Sequence, residues 1–345
     1  MRLIGKAQGV LRGSATRIRR ALRTSRLQRH SLGASAGHAL ALLGLAGALV
    51  GLGLALRRRR RPRAMRTPSE LEAFPALTVL GGVPHVEAIP QTAEPGAALA
   101  GHAGRADGFP LLIQGSRTWT LDPSSLAAES YRSLRTSLYH IASRGLPRTL
   151  LVTSPGPREG KTTTALNVAL CLALSGVQTC LVDADLRRPQ LHRAFGHDLD
   201  PGLANHLEGL DLPEPFERVT PHANLSIVTA GRSTENPAEL LGGPRIGTLL
   251  GLLSQRHRAV ILDAPPLLPV ADASILAPCV DRVLLVACAQ STRFEAIERA
   301  LHVLRGVGIQ QMHAVLNAVR LEDDDGNVPG YIEKSDGGSG DASAV

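Results

Sequence analysis

The sequence predicts a doubly wound α/β domain with a mostly parallel sheet, preceded by one transmembrane helix. Three observations predict it. Six short apolar runs between residues 148 and 319 alternate with helical stretches. The first of these runs ends in a glycine-containing turn that opens directly onto a helix. Upstream, Ala39 to Leu56 is eighteen residues without a polar side chain. A chain of 345 residues with 43% hydrophobic content has room for an anchor and one domain of about 200 residues. That composition excludes a disordered chain, a collagen and a disulfide mini-protein.

Charge divides the chain. Residues 1–66 hold 16 basic residues and no acid, which leaves 22 basic against 30 acidic in 67–345, a net of −8. The overall +8 therefore belongs to the N-terminal segment, and the remainder would repel a phosphate backbone. Nucleic acid is excluded as a partner of the main domain. Cys171, Cys180, Cys279 and Cys288 show no CxxC spacing and sit in apolar surroundings, so they read as buried thiols of a reducing compartment.

Taken in order, residues 1–30 form a basic segment in which VLRGSATRIRRAL fits a basic amphipathic helix. Residues 31–56 form the membrane span, since about 20 apolar residues cross the hydrocarbon core at 1.5 Å per residue. The run Arg57 to Arg61 stops translocation. A signal peptide does not fit, because its basic region is short and a small-residue cleavage site follows it. Gly47 and Gly51 make a weak GxxxG. Basic residues on both sides leave the orientation to function: a domain that needs nucleotide lies in the cytosol. Residues 57–114 read as juxtamembrane stretch and linker, the part from Gln91 to Gly108 being rich in Ala, Gly and Pro.

The main domain is expected over 115–320. RTLLVTS, TCLVDAD, LSIVTAG, AVILDAP, RVLLVACA and HAVLNAV are short continuous apolar runs of the kind buried on both faces of a parallel sheet. TALNVALCLALSG, NPAELLGGPRIGTLLGLLSQR and TRFEAIERALHVLRGVG supply helices between them.

The first strand-turn-helix carries a phosphate-binding P-loop, SPGPREGKTT. Gly156 and Gly160 let backbone N–H groups of the turn, through Pro157, Arg158 and Glu159, curl around phosphate oxygens. Lys161 supplies a point charge, the Thr162 hydroxyl can hold Mg²⁺, and Thr163 follows it. Of the 22 basic residues after Arg66, twenty are Arg and Lys161 is the only Lys before Lys334. A chain that otherwise uses Arg has Lys where a compact ammonium fits. Pro155 stands at the first Gly position of GxxxxGK. Two further strand ends are acidic: LVDADLR places Asp183 and Asp185 on one side of a strand tip, and VILDAPP places Asp263 at another. Buried acids there are costly unless a cation compensates, and Mg²⁺ beside Lys161 does so. Helix caps would account for any one of the three.

These residues resemble the bacterial tyrosine kinases of capsule and exopolysaccharide synthesis. SPGPREGKTT resembles their Walker A, LVDADLR their Walker A′ and VILDAPP their Walker B, and the match extends over about residues 120 to 320. DPSSLAAESYRSLRTSL and AGRSTENPAELL resemble further family stretches. SELEAFPALTVLGGVP resembles the junction in members whose kinase is fused to a membrane chain-length regulator. The resemblance implies a P-loop NTPase fold and Mg-ATP-dependent tyrosine (auto)phosphorylation at the bacterial inner membrane. Lys161 binds phosphate, Thr162 and Asp263 hold Mg²⁺ with Asp183 near it, Asp183 or Asp185 orients or deprotonates the tyrosine, and Arg187 completes the nucleotide motif. It further implies membrane polysaccharide chain-length and export proteins and a cognate tyrosine phosphatase as partners.

Glu129, Arg132 and Arg135 lie at i, i+3 and i+6. Intrahelical ion pairs are the ordinary account of that spacing; the resemblance implies a self-association surface of a homo-oligomer. The tail, 321–345, is rich in Gly, Ser and Asp and reads as disordered and acidic. Tyr331 is its one tyrosine, where the family carries a cluster, and is the expected phosphoacceptor. Two other readings stay open at this point. One is a partitioning-type P-loop ATPase, which uses a signature Lys where Pro155 stands. The other is a non-catalytic ATP-binding scaffold of a polysaccharide export complex.

Overall fold

A computed structural model describes residues 64–86, 111–114, 117–120, 125–141, 145–210 and 216–323, all within one compact unit, Arg63–Val345. The expected span at 31–56, the basic segment before it and Tyr331 lie outside the described residues. Among the described residues no helix is long and apolar enough to cross a membrane.

The chain enters through a one-turn helix α1 (Ser69–Glu72) and strand β1 (Leu77–Pro84). A separate antiparallel hairpin follows, β2 (Leu111–Gln114) with β3 (Arg117–Thr120). Helix α2 (Leu126–His140) starts where the Ser125 hydroxyl accepts the Ala128 N–H at 3.2 Å, a side-chain cap for an otherwise orphaned donor. Then come β4 (Thr149–Thr153), α3 (Lys161–Leu174), β5 (Thr179–Asp183) and two short helices, α4 (Leu191–Phe195) and α5 (Leu203–Glu208). The second half comprises β6 (Arg218–Val219), β7 (Leu225–Val228), α6 (Pro237–Leu241), α7 (Arg245–Arg256) and β8 (Ala259–Asp263). It ends with α8 (Asp272–Leu276), β9 (Arg282–Cys288), α9 (Phe294–Gly306) and β10 (Met312–Val319).

Eight strands form one sheet in the order β1-β10-β9-β4-β8-β5-β7-β6. All neighbours are parallel except β6 on β7. The pleat sorts the side chains into two cores. Leu151, Val182, Leu262 and Leu285 face α6, α7 and α9, while Leu150, Val152, Leu181, Ile261 and Leu284 face α2, α3 and α4. Helix α3 is buried along most of its length, with Leu166 and Leu170 fully enclosed. Truncating either to Ala is expected to cost about 3 kcal/mol, as lost burial plus a cavity.

All six expected strands are present. The expected helical stretch 236–256 is two helices, because Gly242, Gly243 and Pro244 interrupt it. The sheet also takes in β1, from residues read as juxtamembrane stretch. Gly81, Gly82 and Pro84 disguise it in the sequence, and its edge position tolerates them, since a proline there forfeits only an unused donor. Strand β10 therefore has partners on both sides. Of the four thiols, Cys171 and Cys180 are buried and Cys288 is half-buried. Cys279 is exposed, against expectation, in the 3₁₀ turn that follows α8.

Candidate active site

The phosphate loop joins β4 to α3. Thr153 at the strand end donates to the Pro265 carbonyl at 2.8 Å, tying β4 to the chain leaving β8. Ser154 Oγ then donates to the Gly156 carbonyl at 2.7 Å. Gly160 has φ 92, and a Cβ there would stand 1.9 Å from Asn317 Nδ2. Both the left-handed backbone and the close approach require glycine. Arg158 is exposed with φ 64, a conformation that costs a non-glycine residue about 1 kcal/mol or more. Pro157 is exposed beside it, whereas Thr163 is buried in the first turn of α3. Glu159 is turned into the protein: Oε2 accepts the Gly156 N–H at 2.8 Å and Oε1 accepts the Thr292 hydroxyl at 2.6 Å. Burial pushes its carboxyl up to about 7, against the pull of those bonds.

Register explains how the acids meet. β5 and β8 run parallel with Asp183 opposite Asp263, and Val152 of β4 lies opposite Asp263 on the other side. Asp183 follows Leu181 and Asp263 follows Ile261 by two residues, so the pleat turns both toward the face covered by α3. Lys161, at the start of that helix, meets them there. Its Nζ lies 2.8 Å from Asp185 Oδ2 and 3.5 Å from Asp263 Oδ1, and donates to Thr162 Oγ1 at 3.2 Å. Asp183 is fully buried and its Oδ2 accepts the N–H groups of Gln190 and Leu191, each at 3.0 Å. Asp185 Oδ1 accepts the Arg188 N–H at 3.0 Å.

Burial raises the pKa of Asp183, and the neighbouring Asp263 charge raises it further. Asp263 is raised by burial as well, with Lys161 opposing. Burial works to lower Lys161, but Asp263 and Asp185 outweigh it and its pKa is raised. The cluster is one ammonium among three carboxylates in a desolvated cleft, so a further cation is favoured there.

The expected site residues do not all converge. Gly156 to Thr162, Asp183, Asp185 and Asp263 form one site. Arg187 points elsewhere, its guanidinium making a bidentate pair with Asp272 at 2.7 and 2.9 Å. Asp272 is fully buried at the first turn of α8, so this pair holds a helix end. Glu129 and Arg132 form an exposed i,i+3 pair at 2.7 Å on α2. Thr292, Asn317 and Asp272 were not singled out by sequence reasoning. Asn317 left a signal, a polar side chain inside the apolar run HAVLNAV; Thr292 and Asp272 left none.

The donor set fits a magnesium ion. Oδ1 of Asp183 and both carboxylate oxygens of Asp263 are buried and short of close hydrogen bonds, Asp263 Oδ1 having the 3.5 Å ion pair to Lys161, beside the Thr162 hydroxyl. Hard oxygen donors are what this cation takes.

Comparison with known proteins follows the same line. No protein-family model matches the chain. The tyrosine-protein kinase YwqD of Bacillus subtilis is 34% identical over 200 residues, which are 58% of this chain and 84% of YwqD. The chain belongs to the bacterial tyrosine-protein kinase family. A second member, the tyrosine-protein kinase ptk of Acinetobacter johnsonii, is 33% identical over 195 residues. Those are 56% of this chain and 27% of ptk, so the chain spans about a quarter of that longer relative. The solved kinase domain of the Escherichia coli tyrosine kinase ETK superposes with a TM-score of 0.62 at 26% identity. It covers 74% of this chain and 94% of that domain. The P-loop α/β fold is thus shared with a bacterial tyrosine kinase domain.

Proposed function

We propose that the chain is a membrane-anchored, Mg-ATP-dependent protein-tyrosine (auto)kinase that regulates the synthesis and export of a capsular or extracellular polysaccharide. The observation that carries this reading is the position of Lys161 Nζ, between Asp185 and Asp263 at the mouth of the phosphate loop. The anchor rests on the apolar run Ala39–Leu56, and the nucleotide requirement places the catalytic domain in the cytosol.

The residues divide the work as phosphoryl transfer demands, by positioning and charge neutralisation. The N–H groups of the loop and the positive end of α3 hold the phosphates. Lys161 gives up an acid partner for a phosphate oxygen, so its charge stays compensated throughout. Thr162 and Asp263 would hold Mg²⁺, with Asp183 near it, and the charge it would supply there is what neutralises phosphate. Asp183 and Asp185 are both buried, and one of the two takes the proton of the tyrosine hydroxyl. The tyrosine oxygen bonds to the γ-phosphorus, the bond from that phosphorus to the bridging oxygen breaks, and ADP leaves.

Tyr331 is the proposed acceptor, modified in trans within a homo-oligomer. The other two tyrosines fit less well. Tyr131 is buried in α2, its hydroxyl pushed up to about 12 by burial, and Tyr139 lies within the same helix at 38% exposure. Chain-length and export proteins of the membrane and a tyrosine phosphatase are the proposed partners. Incubating the purified chain with Mg-ATP and mapping phosphotyrosine by mass spectrometry tests this. Phosphate at Tyr331 that disappears in Lys161→Met is the expected result, and phosphate release without phosphotyrosine would replace it with an ATPase.

A further inference from the structure

The nucleotide loop is braced from behind by a residue outside every motif of the sequence. Thr292 lies just past β9 and is 1% exposed. Its hydroxyl accepts the Cys288 N–H at 2.8 Å and donates to Glu159 Oε1 at 2.6 Å. The second carboxylate oxygen of Glu159 accepts the Gly156 N–H. The Thr292 backbone is fixed as well: its N–H donates to the Cys288 carbonyl at 2.9 Å and its own carbonyl accepts the Met65 N–H at 2.8 Å. On the other side of the loop Asn317 Nδ2 donates to the Glu159 carbonyl at 3.2 Å. Glu159 would otherwise be an anion in a loop built to hold anions. Its side chain is instead drawn inward, and the loop is fastened by it at both ends.

We propose that Thr292 is a positioning residue for nucleotide binding, which acts through Glu159 to fix the shape of Gly156–Gly160 before phosphate arrives. The proposal deepens the kinase reading and rests on it. A loop already ordered spends no binding energy on ordering, so the brace contributes to affinity rather than to the transfer step. The chemistry is specific to a hydroxyl, because one oxygen must both accept from Cys288 and donate to Glu159. Valine keeps the branched shape and leaves two buried polar groups without partners. Serine keeps both bonds.

The test compares the full-length wild type, Thr292→Val and Thr292→Ser by calorimetric Mg-ATP titration and by amide hydrogen exchange over residues 154–162 without nucleotide. Thr292→Val is expected to bind Mg-ATP about tenfold more weakly and to exchange faster in the loop. Its rate at saturating ATP should change little, so the loss appears in KM. Thr292→Ser should match the wild type in each readout. Wild-type affinity and exchange in the valine variant would overturn the proposal. So would equal losses in both variants, which would assign the effect to packing of the methyl group. Should the valine chain not fold, Glu159→Ala leaves Thr292 and Cys288 paired with each other and is expected to lose the same affinity; unchanged binding there overturns the brace. Binding and exchange are read without turnover, so a failed transfer assay counts against the kinase reading and leaves these readouts to decide the brace.

Discussion

Two ion pairs of nearly equal length occupy opposite extremes of this domain. Lys161 and Asp185 meet at 2.8 Å with side chains 12% and 6% exposed, whereas Arg132 and Glu129 meet at 2.7 Å with 39% and 50% exposed. The distances do not distinguish them, and the surroundings do. On α2 water screens both partners, and such a pair is worth a few tenths of a kcal/mol. At the phosphate loop the charges are desolvated and share a pocket with two more carboxylates, so each change of charge reaches its neighbours. Function concentrates where separating the partners leaves something uncompensated.

The sharpest way to break this contrast is Lys161→Met. Removing the one ammonium that the described residues bring to the pocket should lower transfer about a thousandfold or more, measured as phosphotyrosine formed per mole of enzyme. The variant also strands Asp185 and Asp263, so its melting temperature should fall unless protons fill the gap. Transfer at the wild-type rate would remove Lys161 from the machinery.

Next in size is Asp263→Asn, expected to raise the Mg²⁺ concentration for half-maximal activity by about tenfold or more. Asp185→Asn should spare nucleotide affinity more than transfer, and a titration of Mg²⁺ and ATP against both variants separates the roles. Unaltered Mg²⁺ dependence and catalysis in Asn variants of Asp183, Asp185 and Asp263 alike would reduce the three to caps, the part Asp183 Oδ2 already plays toward Gln190 and Leu191.

A third test uses pH. Asp183 and Glu159 both hold their protons more tightly in the folded chain than an unfolded carboxyl does. The folded state therefore binds more protons, and the stability they lend is complete below about pH 4 and is lost as pH rises. For Glu159 the loss runs up to about pH 7. Burial lowers the pKa of His192, His222, His257 and His313, which works in the opposite direction. The carboxyl contribution, on the order of 2 kcal/mol, is therefore read from urea melts of the nucleotide-free wild type and Asp183→Asn compared across that window. Asp183→Asn, which retains an oxygen for the two N–H groups, should gain stability relative to the wild type as pH rises. A wild-type minus Asp183→Asn difference that is flat or rises with pH would contradict the assigned burial of Asp183.

The smallest thermodynamic effect belongs to α2. Reversing the charges at Arg132 and Arg135 should move the unfolding free energy by less than about 0.5 kcal/mol, yet convert an oligomer to monomer in light scattering. An unaltered mass would leave Glu129–Arg132 as an ordinary solvated pair.

Much of this was legible in the sequence, and for physical reasons. Continuous apolar runs such as AVILD report burial on both faces, so β4, β5, β7, β8, β9 and β10 were readable. Asp183 and Asp263 were readable because a charge ending such a run has to be compensated. Strand β1 was not, since Gly81, Gly82 and Pro84 are permitted only by an edge position that no local pattern announces. The pairing of Arg187 with Asp272 was not legible, because the two lie 85 residues apart. The brace at Thr292 stayed hidden for the same reason, being 133 residues from Glu159.

The two margins of the sheet bear on how copies of this chain can meet. At one margin the pairing of β1 slips register on both sides of Gly82 before ending at Pro84; at the other, β6 is two residues long. Among the described residues, neither rim offers a straight run of free backbone groups on which a neighbour could continue the ladder. Both features, among the described residues, disfavour growth of the eight-stranded sheet from molecule to molecule. An assembly that avoids this sheet's margins has to be written in side chains, on surfaces whose composition can set a finite number of subunits and can be undone by a change of charge.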